Sequence, residues 1–214
     1  AVVSAEGFNP TRLRAFKDGI EKTIGSQISS AVIFDRDYKS DDEINSEMKN
    51  LEKGNKFVHI HSRKEIENFL LIPDSINKAI NTRIKEVNKR TGKSLTFDDD
   101  INEILSELTN QFKIDTQSQL QSHQYKFKKS KNPKLDESTI IKSILIDFEK
   151  KWETIDNRLM MVPGKDFLSA LNALLQKKYK ISLSQANIIS AIKRTDIPTE
   201  LQELIEKIDK FRKE

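Results

Sequence analysis

Four consecutive apolar residues, Ala31-Val32-Ile33-Phe34, end abruptly in Asp35-Arg36-Asp37. A β-branched run this short, bounded by polar residues, is not enough for a helix and reads as a buried strand of an α/β sheet. In open sheets of that class ligands bind outside the carboxyl ends of the strands, where the connecting loops frame a crevice. The two aspartates stand at that edge, and alternation along an extended chain predicts that they project to one side. Two carboxylates held close repel each other, and a divalent cation turns that arrangement favourable. Asp35 and Asp37 are therefore candidate metal ligands. The competing explanation is that Asp-x-Asp caps the next helix. That helix has its own start in Ser40-Asp41-Asp42-Glu43, with Ser40 as cap and Glu43 placed as in a capping box. A second occurrence, Asp98-Asp99-Asp100, opens an amphipathic run and reads as charge complementing a helix macrodipole.

The first third of the chain alternates: strand patterns at 1–4, 31–34 and 56–61, helical patterns at 10–24, 41–53 and 65–71. Such alternation implies parallel strands joined by right-handed crossovers. From Pro73 onward long charged helical patterns take over, at 73–90, 98–125 and 137–158, the last with Ile140, Ile141, Ile144, Leu145 and Phe148 at helical spacing. No Gly or Pro interrupts 98–130, which predicts one long helix or two meeting near the polar stretch 115–124. Residues 158–175 read as a brief extended segment, a Pro-Gly turn and a helix, and 184–211 as two helices broken at Pro198.

With 214 residues and 36% hydrophobic content the chain has the means to bury a real core. Its 37 basic and 33 acidic residues nearly balance, so the net charge of +4 says little about partners. The absence of cysteine excludes disulfides and thiolate zinc sites and fits a reducing cytoplasm, the expected location. Neither a signal peptide nor a membrane-spanning run is visible, and no membrane partner is expected.

Further polar groups follow the second apolar strand, in "FVHIHSRKEIENFLL". Glu65 and Glu67 diverge if placed on a helix, so one of them, with Glu67 preferred, is expected to face the crevice; Asn68 and Phe69-Leu70-Leu71 then anchor the segment. His59 and His61 share a strand face and have metal-ligating chemistry, but no third nitrogen or sulfur donor stands nearby in sequence, so buried, hydrogen-bonded histidines are the expected outcome. "VPGKD" lacks the upstream glycine and following Ser or Thr of a P-loop, although a lysine after a Pro-Gly turn at a helix start suits a phosphate. "YKFKKSKNPK" interleaves aromatics with lysines, and Lys126, Lys128, Lys129 and Lys131 are candidates for holding a nucleic-acid backbone, with a mobile solvated connection as the alternative.

Taken together, "IFDRDY", "RKEIENFLL" and "VPGKDFLSALN" resemble the C-terminal part of OLD-family (overcoming lysogenization defect) proteins, which couple an ABC-type ATPase to a Toprim (topoisomerase-primase) nuclease domain. The resemblance is strongest at 29–71 and 158–175. It implies an α/β fold: a parallel-sheet, Rossmann-like Toprim part at 1–71, a large all-helical insertion at 72–157, a return to the Toprim part at 158–178 and C-terminal helices at 179–214. It also implies a first strand ending in a Glu-Gly metal ligand that this chain lacks. Glu6-Gly7 occurs in "SAEGF", but the continuation "GFNP" resembles the exit of the second strand. The chain is thus expected to be a fragment of a longer protein that carries the ATPase domain upstream.

By the same resemblance Asp35 and Asp37 match the family's Asp-x-Asp, Glu67 its "ENY"-like acidic position with Glu65 the lesser candidate, and Lys165 the lysine of its "PGK"-like segment. The implied function is a phage-defence DNA endonuclease, with Asp35, Asp37 and Lys165 catalytic and Asp35, Asp37 and Glu67 holding Mg²⁺ or Mn²⁺ in a two-metal site. A different class competes: a non-catalytic helical module for nucleic-acid binding or oligomerisation, since helices of this length often self-associate into homo-oligomers.

Overall fold

The computed structural model describes residues 2, 7 and 9–213. The strand expected at 1–4 lies, apart from Val2, outside the described residues. Among them the protein is mostly helical, with one two-stranded parallel sheet. Helix α1 (Pro10–Ile24) leads to β1 (Ala31–Phe34), α2 (Asp41–Leu51) and β2 (Phe57–Ile60), and a 3-10 turn (Ile66–Leu70) follows. The helical remainder comprises α3 (Pro73–Thr91), α4 (Ile101–Gln111), α5 (Lys113–Lys131), α6 (Glu137–Trp152), α7 (Ile155–Met161), α8 (Gly164–Tyr179), α9 (Gln185–Ala191) and α10 (Thr199–Lys213).

β1 and β2 pair in parallel, Ala31 opposite Phe57 and Phe34 opposite Ile60. Val32, Phe34, Val58 and Ile60 point to one face and bury with Leu51, covered by Leu13, Ile44 and Met48 of the flanking helices. Ile33 on the other face is 41% exposed. The expectation of a fully buried strand is therefore corrected: the burial alternates along β1 as in a sheet covered on one face only. The helices build a second core, centred on Ile76, Ile80, Leu105, Ile144, Phe148 and Phe167. No helix among the described residues is long and apolar enough to cross a membrane.

Local polar chemistry places several helix boundaries where hydrophobic periodicity does not. The pattern at 98–125 starts where Asp100 caps α4 through the Asn102 amide (2.8 Å) and breaks at Phe112, earlier than the polar stretch, where the chain turns and the Phe112 amide bonds the Thr109 carbonyl (3.1 Å) before α5. The pattern at 137–158 is two helices, since Thr154 starts α7 by accepting the Asn157 amide. For the same reason Arg158 to Met161 are helical rather than extended, and only Val162 and Pro163 are extended before α8 begins. The lysine segment is helical: α5 runs on through Lys131, so residues 125–131 are the end of a helix rather than a connection. Asp99, expected only to complement a helix dipole, is instead tied to Lys178 and to the Tyr179 hydroxyl (2.5 Å).

One buried amide joins the strand region to the helices. Asn68, fully buried in the 3-10 turn, donates through Nδ2 to the carbonyls of Leu159 (2.7 Å) and Val162 (2.9 Å), and its Oδ1 accepts the Glu65 amide (2.9 Å). Gly164, the first residue of α8, presses against the same turn; a Cβ there would stand 2.9 Å from Asn68 Oδ1 and 3.0 Å from the Glu67 Cβ. Replacing Asn68 by Ala strips two buried carbonyls of their donor and is expected to cost about 2–4 kcal/mol in denaturant unfolding. Gly164→Ala is expected to cost about 1–3 kcal/mol, and because the two positions touch, the double variant should lose less than the sum of the single losses.

Candidate functional site

The carboxyl ends of β1 and β2 open onto a cluster of acids and lysines drawn from four segments. Asp35 is the first residue beyond β1, and its Oδ1 accepts the amide of Ile66 (2.9 Å), which ties the exit of β1 to the 3-10 turn. Asp37 lies in a turn with φ of 52°, a left-handed conformation that Asp and Asn tolerate better than other side chains. Its amide donates to the Lys64 carbonyl (2.9 Å), which links the exits of the two strands, and its Oδ2 stands 3.5 Å from the Nζ of the buried Lys39. The two aspartates are close, but strand alternation is not the cause: the strand ends at Phe34 and a tight turn carries Asp37 round. Arg36 between them bonds the Lys39 carbonyl (3.1 Å) and pairs with Asp41, whose carboxyl it holds below the usual range.

Ser40 caps α2 by accepting the Glu43 amide, so the aspartates are not needed as caps. Glu43 does not complete a capping box; its side chain turns inward to the His123 Nε2 of α5 (2.9 Å). Beside it Gln124 of α5 donates to the Tyr38 carbonyl (3.1 Å), and these two contacts hold the long helix against the Asp37 turn.

Glu65 and Glu67 do not diverge as a helical placement predicts. Glu65 is extended and precedes the 3-10 turn, so the two carboxylates converge on the start of α8. Glu65 pairs with Lys64 through Oε1 and accepts the Lys165 amide through Oε2 (3.2 Å), a carboxylate at a helix N-terminus. Glu67 is buried, with Oε1 3.7 Å from the Lys165 Nζ and Oε2 without a hydrogen-bond partner. The Lys165 side chain itself is 69% exposed. Burial, joined by the charges of Asp37 and Glu67, pushes the Asp35 carboxyl above its ordinary range, and the Ile66 amide and His61 offset only part of that rise. Burial likewise raises the Tyr38 hydroxyl, with the Glu65 charge adding to it. The structure thus brings Asp35, Asp37, Glu65, Glu67 and Lys165 to one edge. In donor chemistry the acids fit a hard cation: all are oxygen ligands, and Glu67 holds a buried, unpartnered oxygen.

The four lysines of α5 are not gathered in one patch. At about 100° per residue, positions 126, 128, 129 and 131 fall around most of the helix circumference. Lys128 bonds the Ser143 hydroxyl (3.1 Å), Lys129 the Leu135 carbonyl (2.8 Å), and Lys131 lies over the Phe127 ring. Lys126 is exposed beside Tyr125 and Glu137.

A second constellation lies on the outer face of β2. His59 Nε2 is 3.2 Å from His61 Nδ1 and 3.1 Å from the Glu200 Oε1 of α10, and the Ser62 amide and hydroxyl hold the same carboxylate. Burial would raise Glu200, but hydrogen bonds from His59, His61 and Ser62 outweigh it and hold the carboxyl well below the usual range. Sequence reading recognised the histidines and missed Glu200, which stands 141 positions from His59 with no local signal to mark it. Comparisons of the chain with protein-family models, with curated proteins and with solved structures find no match.

The raised Asp35 carboxyl has a measurable consequence. A group whose acidity is weakened by folding contributes stability below its unfolded pKa and loses it as pH rises through the folded value. Asp35→Asn keeps an acceptor for Ile66 and removes the charge, so at neutral pH it should melt at or above the wild-type temperature, by up to about 1 kcal/mol for a half-exposed, screened group. Acidification below the ordinary carboxylate range should close the gap, and thermal melts across pH 3–8 test this.

Proposed function

We propose that the chain is the metal-dependent nuclease module, of Toprim type, of an OLD-family phage-defence ATPase–nuclease, and that it hydrolyses phosphodiester bonds in DNA. The observation that carries this reading is the convergence of Asp35, Asp37 and Glu67 at the carboxyl edge of a parallel strand pair, with the Lys165 ammonium 3.7 Å from Glu67. The motif likeness at "IFDRDY", "RKEIENFLL" and "VPGKD" supports it from the sequence side.

In this reading Asp35, Asp37 and Glu67 hold Mg²⁺ or Mn²⁺ together with a glutamate from the segment upstream, and Glu65 serves the start of α8 rather than the metal. The bound cation supplies an activated water and a Lewis acid for the leaving oxygen. The chain's own groups prepare the site for it. The Ile66 amide fixes Asp35, the left-handed turn brings Asp37 beside it, and burial holds Glu67 with one oxygen uncommitted. Lys165, long, exposed and only loosely paired with Glu67, is free to swing to a phosphate and offset the charge that develops there. The upstream ATPase and the DNA are the partners of this function, and a cytoplasmic location accords with it.

The test is DNA nicking with Mn²⁺ by the complete protein. Asp35→Asn and Asp37→Asn should each lower the rate by at least about a hundredfold without loss of metal-free stability, and Lys165→Met by about ten- to a hundredfold. Asn at 37 also keeps the left-handed turn, so that loss of activity reports the charge alone. Full activity in both aspartate variants would leave a helical binding or oligomerisation module as the function.

Of the α5 lysines, Lys126 is the one placed to meet a DNA backbone without first leaving a contact described above. Lys126→Gln should flatten the salt dependence of DNA binding by nearly one log unit per tenfold salt, uniformly across sequences, whereas Lys129→Gln should change it less.

A further inference from the structure

We propose that His59, His61 and Glu200 form a binding site for a divalent transition ion of the zinc type, which clamps α10 to the end of β2. The site uses none of the residues assigned to the nuclease centre and stands apart from that reading.

The geometry argues first. Ligand atoms at the corners of a tetrahedron around Zn²⁺, each about 2.0–2.1 Å from the ion, stand about 3.3 Å from one another. The three atoms here are separated by 3.1 Å (His59 Nε2 to Glu200 Oε1), 3.2 Å (His59 Nε2 to His61 Nδ1) and 3.8 Å (His61 Nδ1 to Glu200 Oε1), which is such a face with one edge slightly open.

The chemistry agrees. Two imidazole nitrogens and a carboxylate oxygen converge on one point, and an ion coordinates all three lone pairs at once. Outer contacts that orient ligands are already in place: Ser62 donates to Glu200 through its amide (2.8 Å) and its hydroxyl, and His61, 2% exposed, is wedged edge-on against Phe69 at 5.2 Å between ring centres. Two nitrogen donors favour Zn²⁺, Co²⁺ or Ni²⁺ over Mg²⁺, whereas the all-oxygen set at Asp35, Asp37 and Glu67 has the opposite preference. Three protein ligands also leave a fourth position for water or another exchangeable group.

The placement gives the ion a task. His59 lies in β2 and His61 is the first residue beyond it, while Glu200 belongs to the first turn of α10, which buries Leu204 as its one fully covered apolar residue among those described. An ion shared between them would add to the packing of Leu204 and the half-buried Leu201, Ile208 and Phe211.

The experiment uses protein without a polyhistidine tag, titrated with Co²⁺ and Zn²⁺. Wild type should take up one Co²⁺ with the intense visible absorption of low-coordinate cobalt, release it to Zn²⁺, and melt about 5–10 °C higher at a Zn²⁺ concentration about a hundredfold above Kd. Glu200→Gln, which keeps an acceptor for Ser62, and His59→Gln should each lose the absorption and the shift, while Asp37→Asn keeps both. Having two variants covers the case in which one fails to fold, and circular dichroism without metal checks each. No absorption or shift in wild type, or an undiminished response in the folded Glu200 or His59 variant, overturns the site. Loss of the response in Asp37→Asn alone overturns it as well, because the ion would then belong to the aspartate edge.

Discussion

The buried side chain of Asn68 is the constraint on which the arrangement of this protein depends. Two strands and two helices do not make a stable body alone, and the apolar core of the sheet lies on one face only, the other being met by α10 at His59 and His61 while Ile33 stays exposed. The short 3-10 turn after β2 couples that sheet to the helical core, and it has few backbone bonds of its own with which to do so. Asn68 supplies the missing connection with all its amide capacity: both carbonyls at the α7–α8 junction accept from it, and it accepts the amide of Glu65. Arg63, stacked on Phe69 and bonded to the Asn68 carbonyl (2.7 Å), closes the turn from the other side. A fully satisfied buried amide tolerates no slip of register, so the segment that carries Glu65 and Glu67 is fixed against the start of α8. Gly164 makes this contact as close as it is, because any side chain there meets the turn.

From that fixed junction follows an edge with one more carboxylate than lysine. Asp35, Asp37, Glu65 and Glu67 face Lys39, Lys64 and Lys165. The pairings differ in kind. Lys64 with Glu65 is a close ion pair partly sheltered from water, stacked over the Tyr38 ring, and it reads as structure. The contacts of Lys39 with Asp37 and Lys165 with Glu67, at 3.5 and 3.7 Å, are longer than a charge-assisted hydrogen bond prefers. Among the described residues Asp35 has no ion-pair partner, and burial, the largest cause of its weakened acidity, is offset only in part by the Ile66 amide and His61. A divalent ion would supply what these loose pairs supply only in part.

Much of this was legible in the sequence where the signal is local. The run from Ala31 to Phe34, the cap at Ser40, the change to helices at Pro73 and the helix after Gly164 all follow from residues within one turn of each other. Long periodic stretches were less legible at their breaks, since hydrophobic spacing runs unchanged across Phe112, which has no capping side chain, and Thr154, where one hydroxyl caps the next helix. Asp35, Asp37 and Lys165 could be singled out because each follows an apolar run or opens a helix, and Glu67 through the resemblance at "ENF". The mutual approach of Glu65 and Glu67 could not, because it depends on Glu65 being extended. Glu200 lay beyond sequence reading altogether: an acid in the first turn of an ordinary amphipathic helix looks like dipole compensation until the fold sets it against β2.

β2 thereby serves three functions with alternate residues. Val58 and Ile60 fill the sheet core, His59 and His61 face α10, and the carbonyls and amides beyond its end meet the Asp37 turn through Lys64. His61 is the residue common to both polar centres: it approaches Glu200, and its charge is felt at Asp35, where it opposes the rise in pKa. A positive ion held at His61 would act on Asp35 in the same direction. Such an ion would favour the ionised carboxylate that a hard cation at the aspartate edge would require, while like-charge repulsion between two ions would limit the gain. The competition between these terms is decided by how much water lies between them, and the partial exposure of Asp37 and Lys165 puts the screened, weakly repulsive regime on the side of the aspartate edge. If both proposed sites take ions, this balance makes an ion at the histidines favour the ionised Asp35 carboxylate rather than oppose a cation at the aspartate edge.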